Sequence, residues 1–181
     1  MTTGFTRTDS GRVLVRLDEL ERSILRSLAD QVIGLIAPAA GTPDADPLAA
    51  MVGIADHAET PDDPVLARLL PDGYRDDPEA AGDFRRFTER GLREMKAAHA
   101  RTVIAGLERS GDKVTLGDDE CASWLGFLND ARLALGTRIG ITEENHEELA
   151  SLPDDDPRAA MFQVYDWLTF MQDSLVRVVL P

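Results

Sequence analysis

The sequence predicts a mainly α fold: a single-domain helical bundle with a small two-stranded β-sheet. Three observations lead there. Apolar residues recur every three or four positions through several long stretches. Acidic residues, twice followed by proline, stand where those stretches begin. Only two short segments alternate like strands, enough for one ribbon and too few for a doubly wound sheet.

Taken in order, Arg12–Leu17 (RVLVRL) alternates polar and apolar residues and is rich in valine, so it reads as a strand. Asp18 then caps a helix with Glu19 and Glu21 in its acidic first turn. Leu20, Ile24, Leu25, Leu28, Val32 and Leu35 carry that helix to about Ile36. Residues 37–63 hold acids but no lysine or arginine. They read as a mobile acidic loop, with a short helical turn at Leu48–Ile54. Asp77-Pro78 starts a second helix, a capping acid followed by proline at the first helical position, running to about Leu107 or Ser110 with a bend at Gly91. Asp112–Leu116 (DKVTL) is the second strand. Gly117–Glu120 opens a third helix, to about Arg138. Thr142–Leu152 begins like a capping box, and a last helix starts near Asp156-Pro157 and reaches Val179. The two strand-to-helix junctions match: Val15-x-Leu17-x-x-x-Glu21 and Val114-x-Leu116-x-x-x-Glu120. Either an old duplication or the common grammar of a strand feeding a capped helix explains the match.

Composition narrows the function. The chain has 181 residues, 43% hydrophobic and 29% charged, which suits one globular domain spanning 1–181. Its formal charge is −14, from 33 acids against 19 bases, and it holds no long basic run. That balance opposes a nucleic-acid backbone and an anionic membrane surface. One cysteine excludes an intrachain disulfide and points to a reducing compartment. No signal peptide or membrane span is evident, so a cytoplasmic protein is expected.

Leu70–Lys96 is densely charged with nearly balanced signs. On a helical wheel Phe84, Thr88, Gly91, Met95, Ala98 and Thr102 form one narrow stripe, whose small members admit a neighbouring helix. Arg85, Glu89 and Arg93 lie at four-residue steps on the far side. One reading is a solvated face of alternating charge. The other is a partner-docking surface, since Arg85, Arg86, Arg90, Arg93 and Lys96 concentrate base in an acidic protein.

Candidate chemistry is sparse, and no catalytic residue, cofactor or metal is expected. Cys121 lies in a helix first turn, but Asp118, Asp119 and Glu120 oppose its thiolate, which favours a structural role. The acids of Glu143–Glu148 and Asp154–Asp156 lack the spacing of a dedicated cation site. His99 reads as packing, and His57 is uninformative. In Trp124–Ile141, Trp124, Leu128, Ala131 and Leu135 form the core stripe, with Arg132 and Arg138 at or inside the apolar sector. A buried arginine needs a carboxylate, a carbonyl or an anion. An internal salt bridge and an anion-binding pocket both satisfy that demand. The last helix is apolar on more than one side. Met161, Val164, Tyr165, Leu168, Met171, Leu175 and Val179 share a sector while Phe162, Trp167 and Phe170 point elsewhere. Such a helix is either central in the fold or shared across a homodimer interface formed by Phe162, Trp167 and Phe170.

The segments LPDGYRDDPEAAGDFRRFTERGLREMK, WLGFLNDARLALGTRIGI and YDWLTFMQDSLV, in that order, resemble an actinobacterial domain-of-unknown-function family. The resemblance spans nearly the whole chain and carries no catalytic motif. It implies a gene neighbourhood with the adaptor of the Clp protease and with cysteine-synthase and sulfur-carrier genes. Some members of that family are labelled transcriptional regulators, although no clear recognition helix is visible here. The expectation is a non-enzymatic regulatory or adaptor-like protein acting on an unknown protein partner, in regulated proteolysis or sulfur metabolism. A transcriptional regulator and a small-molecule (anion) binder or enzyme are the alternatives.

Overall fold

A computed structural model describes residues 3–37, 60–74, 76–109 and 111–180. The expected helical turn at Leu48–Ile54, most of the expected mobile loop, and His57 lie outside those residues. Within them the chain is mostly helical, with a three-stranded antiparallel sheet rather than the two-stranded ribbon expected.

The extra strand, β1 (Thr6–Arg7), pairs with β2 (Val13–Arg16). Its hairpin turn is closed by Thr8 N–H donating to the Arg12 carbonyl at 2.8 Å. Gly11 supplies the turn's left-handed residue, at φ +82°. β2 in turn pairs with β3 (Lys113–Leu116), Val15 opposite Val114. The pleat sends Val13, Val15, Leu17, Val114 and Leu116 into the core, while Arg12 and Arg16 stay outside.

Each inner strand feeds a capped helix, and the matching junctions have one physical cause. In α1 (Glu19–Ile36) the Glu21 carboxylate reaches back to Asp18 N–H at 2.9 Å, and Asp18 accepts from Glu21 N–H. In α4 (Asp118–Ile139) Glu120 reaches back to Gly117 N–H at 2.8 Å. The shared Val-x-Leu-x-x-x-Glu pattern is two inward strand residues followed by a glutamate that satisfies an orphan N–H.

A further helix lies between the first two expected ones. In α2 (Pro64–Leu69), Asp63 accepts from Val65 and Leu66 N–H, at 2.8 and 3.0 Å, and Pro64 holds the first position. α3 (Pro78–Glu108) is one continuous helix through Gly91. α5 is short (His146–Ala150), and the turn before it carries the reciprocal bonds expected of a capping box: Asn145 N–H donates to Thr142 Oγ1 and Thr142 N–H to Asn145 Oδ1. α6 spans Pro157–Val179, capped by Asp156.

α4 is the axis of the fold, packing against α1, α2, α3 and α6. Trp124, Phe127 and Leu128 on it are wholly buried. Phe5, from the segment before β1, meets Trp124 edge-on at 5.9 Å. Close α3–α4 contact requires glycine at 126, where an added Cβ would lie 2.4 Å from His99 Nδ1. A satellite cluster of Ile139, Leu149 and Phe162 joins the ends of α4, α5 and α6.

α3 is rotated by about one residue, roughly 100°, from the expected orientation. Its buried residues are Ala81, Arg85, Ala97, Ala100, Val103, Gly106 and Leu107. The stripe expected to pack turns outward instead: Phe84, Met95 and neighbouring Phe87 are exposed. The cause is Arg85, which is only 4% exposed and therefore inside rather than on a wet far side. It donates to the Leu70 carbonyl at 2.9 Å and pairs with Asp72 at 2.6 Å and Glu89 at 2.8 Å. Arg93 extends the chain of charges, pairing with Glu89 at 2.6 Å and donating to the Ile36 carbonyl at 2.9 Å. One network thus ties the end of α1, the segment after α2, and α3.

Arg85, with Thr60, holds the Asp72 carboxyl below its usual value. Burial opposes the charge of Glu89, but Arg85 and Arg93 together outweigh it and lower its pKa as well. Carboxylates with depressed folded values stabilise the fold above the ordinary range of about pH 4 and lose that contribution as pH falls through the depressed values. Arg85→Met is expected to cost about 3 kcal/mol or more in urea unfolding, since it strands buried charge. It should also flatten the acid limb of the melting temperature below about pH 4. Arg86→Ala, on the exposed side, is expected to change stability by no more than about 0.5 kcal/mol.

Candidate functional site

The five basic residues singled out in Leu70–Lys96 divide into two groups. Arg85 and Arg93 belong to the internal network. Lys96 also turns inward and pairs with Asp130 at 2.6 Å across the α3–α4 contact. Arg86 and Arg90 remain on the surface, near Asp83 (4.0 Å) and Glu94 (2.9 Å) respectively. The exposed part of α3 therefore carries two surface arginines and an apolar stripe. Phe87 is its most exposed member at 65%, and Phe84 packs edge-on against Tyr74 at 5.9 Å.

Asp130, which sequence reasoning missed, is 2% exposed. Burial raises its pKa, against the pull of Lys96 and His99. His99 Nδ1 is buried beside it without a hydrogen-bond partner. The available signal was Asp130 lying three residues after Phe127 and four before Ala134 on an otherwise apolar helix face, with Lys96 on the helix that packs there. Lys96 and Asp130 bridge α3 and α4 at this buried contact.

A different arrangement surrounds Arg132. Its Nε donates to Thr169 Oγ1 at 2.9 Å and Nη1 to Gln172 Oε1 at 2.6 Å, both on α6. The guanidinium carbon sits 5.4 Å from the Tyr165 ring centroid. Among the described residues no carboxylate lies within ion-pair range of Arg132, so the internal salt bridge considered from the sequence is not what holds it. Arg132, Tyr165 and Arg68 line a cleft of about 740 Å³ between α2, the end of α4, and α6. Arg138 does not join it. That side chain is exposed rather than within the apolar sector, and donates to Gln31 Oε1 at 3.1 Å.

The three aromatic residues considered for self-association are also separated. Phe162 is buried, 5.2 Å from the His146 ring. Trp167 is half-buried against the main core. Phe170 is exposed, yet the N-terminal segment lies beside it: Phe5 N–H donates to Ser174 Oγ at 3.1 Å, and Arg7 donates to the Val178 carbonyl at 2.7 Å. The second apolar side of α6 thus meets β1 and the segment leading into it.

Cys121 is buried, and burial pushes its thiol pKa up, reinforced by Asp118 and Glu120. Among the described residues no three histidine, cysteine, aspartate or glutamate side chains are grouped to hold a metal ion. No described helix is long and apolar enough to cross a membrane.

The Lys96–Asp130 pair gives a direct test of this division between structural and surface charge. Lys96→Met is expected to destabilise the fold by about 3–5 kcal/mol by stranding Asp130. Lys96→Met with Asp130→Leu is expected to recover most of that loss. A double-mutant cycle in urea measures the coupling.

Comparison with known proteins places this geometry in a family. The chain is 35% identical over 186 residues to the oxidative stress regulator AosR of Mycobacterium tuberculosis and to that of Mycobacterium bovis, covering 95% of this chain and 84% of each relative. It is 31% identical over 170 residues to a putative oxidative stress regulator AosR of Mycobacterium leprae, covering 86% and 77%. No solved structure matches it. The model of the domain of unknown function DUF2017 matches residues 2–179, and the chain belongs to that family.

Proposed function

We propose that this chain is a non-enzymatic regulator that acts by binding another protein through the outer face of α3. The observation that carries this is the rotation of α3. It places Arg85, Arg93 and Lys96 inside while leaving Phe84, Phe87 and Met95 in water, with the surface arginines Arg86 and Arg90 on the same helix. Exposed aromatics beside arginine are the usual make-up of an interface centre. The regulator names borne by the mycobacterial relatives support the reading. A formal charge of −14 weighs against the transcriptional alternative, in which the chain would grip DNA directly. Regulated proteolysis and sulfur metabolism are the settings that the family resemblance suggests for the partner.

The relatives are named for oxidative stress, and a comparable role here works without a thiol switch at Cys121. The thiol is buried and its pKa raised, so little reactive thiolate is present near neutral pH.

Arg86→Glu combined with Arg90→Glu and Phe87→Ser is expected to leave the melting temperature nearly unchanged. In co-purification from the native host followed by mass spectrometry, the same variant is expected to lose a specific partner. An unchanged set of co-purifying proteins means the face is merely solvated. In a mobility-shift assay at physiological salt, sequence-specific DNA binding by the purified chain would favour the transcriptional reading instead. Cys121 is expected to react with a thiol-specific reagent only on unfolding, and Cys121→Ala to retain partner binding under peroxide.

A further inference from the structure

We propose that the cleft between α2, the end of α4, and α6 binds a small organic acid, with Arg132 as the anchor for its carboxylate and Arg68 as a second cation. The assignment stands independently of the protein-contact reading. Arg132 is half-buried, and its neighbours Thr169, Gln172 and Tyr165 are all uncharged. A guanidinium has five N–H donors, and the two close bonds go to α6. They fix the plane of the group without neutralising it. A half-buried cation whose plane is fixed by neutral acceptors is pre-organised for an anion.

Asp166 and Asp173 share a neighbouring groove with Arg132, and neither is ion-paired to it; Asp173 pairs with Arg177 at 2.6 Å. Arg68, in the last turn of α2, is exposed and has no ion pair among the described residues. Its bland role is to complement the helix dipole, which leaves its donors available. Glu143 is the one carboxylate lining the cleft. It opposes a dianion more than a monoanion, which favours a carboxylate over a phosphate ester.

The negative end of α4 also reaches the cleft, and some of the carbonyls there are occupied. Ile141 N–H donates to the Gly136 carbonyl at 2.9 Å, Gly140 N–H to that of Thr137 at 3.3 Å, and Asn145 Nδ2 to that of Gly140 at 2.9 Å. Gly140, at φ +66°, makes this turn possible. Ile141 and the Tyr165 ring provide an apolar wall. Their close approach to α4 depends on Gly136, where a Cβ would lie 2.9 Å from Ile141 Cγ2. The volume suits a small molecule.

Phenylacetate is the test probe, with its uncharged analogue phenylacetamide and the dianion phenyl phosphate as comparisons, followed by amide NMR on the full chain. Phenylacetate is expected to give saturable shifts confined to the end of α4 and the facing part of α6, and phenylacetamide none. Arg132→Met is expected to weaken binding by roughly tenfold, about 1.4 kcal/mol. Because Arg132 also links α4 to α6, Arg68→Met provides a variant with no such structural role and is expected to weaken binding several-fold. The proposal is overturned if phenylacetate gives no saturable shift, or if the amide binds as well as the acid. It is equally overturned if phenyl phosphate binds tighter, if the shifts fall elsewhere, or if Arg68→Met leaves binding unchanged.

Discussion

Arg85 cannot be turned to solvent without rotating a 31-residue helix, and that constraint organises much of the molecule. A guanidinium buried at a junction of helix and loop needs its donors met. Here Nη1 and Nη2 are met by Asp72, Glu89 and the Leu70 carbonyl, while Nε is buried without a partner. Satisfying it holds the segment after α2 against α3. Through Glu89 and Arg93 it also occupies the Ile36 carbonyl at the end of α1, one of the acceptors a helix terminus leaves without an internal partner. The same rotation lays Ala97, Ala100 and Gly106 toward the core, small enough for α4 to approach. The apolar residues one position earlier on the wheel are left outside. The exposed aromatic stripe is thus a consequence of where the arginine network points.

Charge has three distinct jobs along two adjoining helices. Arg85, Glu89 and Arg93 close a junction. Lys96 and Asp130 bridge α3 and α4, at a site where burial alone disfavours the carboxylate. Arg132 is held by uncharged partners and has no ion pair among the described residues. The first two arrangements stabilise the fold internally. In the third, hydrogen bonding fixes geometry while the charge stays available, so Arg132 differs from Lys96 in consequence although both sit at helix contacts.

The helix boundaries were largely legible because capping chemistry is local. Asp18, Asp77 and Asp156 start helices as their sequence context predicts, and the ends at Ile36 and Val179 agree. Asp63-Pro64 carries the same signal as Asp77-Pro78 and was passed over because it borders a stretch read as a loop. β1 was missed because a two-residue strand has no period to detect, although Asp9-Ser10-Gly11 is turn chemistry. The rotation of α3 was not legible. A wheel assigns charged residues to the outside, and only Asp72, thirteen positions before Arg85, reveals that one of them is paired within. Arg132 was recognisable as a cation in an apolar sector. That its partners would be Thr169, Gln172 and Tyr165 depends on how α6 crosses α4, which no local pattern encodes. Arg138, with the same wheel argument behind it, emerged into solvent because the sector narrows where α4 ends.

The balance of local and global charge bears on what either surface can recognise. At −14 the chain as a whole repels anions, but at physiological ionic strength fields are screened over about 8 Å. A ligand at the cleft therefore responds mainly to Arg132, Arg68 and Glu143, and a partner on α3 to Arg86, Arg90 and their companion acids. Bulk charge then acts as a filter on size. A long polyanion meets the net negative charge of the chain, whereas a small acid or a compact protein patch meets mainly the local cations. The same sequence thus disfavours extended nucleic acid while leaving two confined places where positive charge and apolar surface coincide.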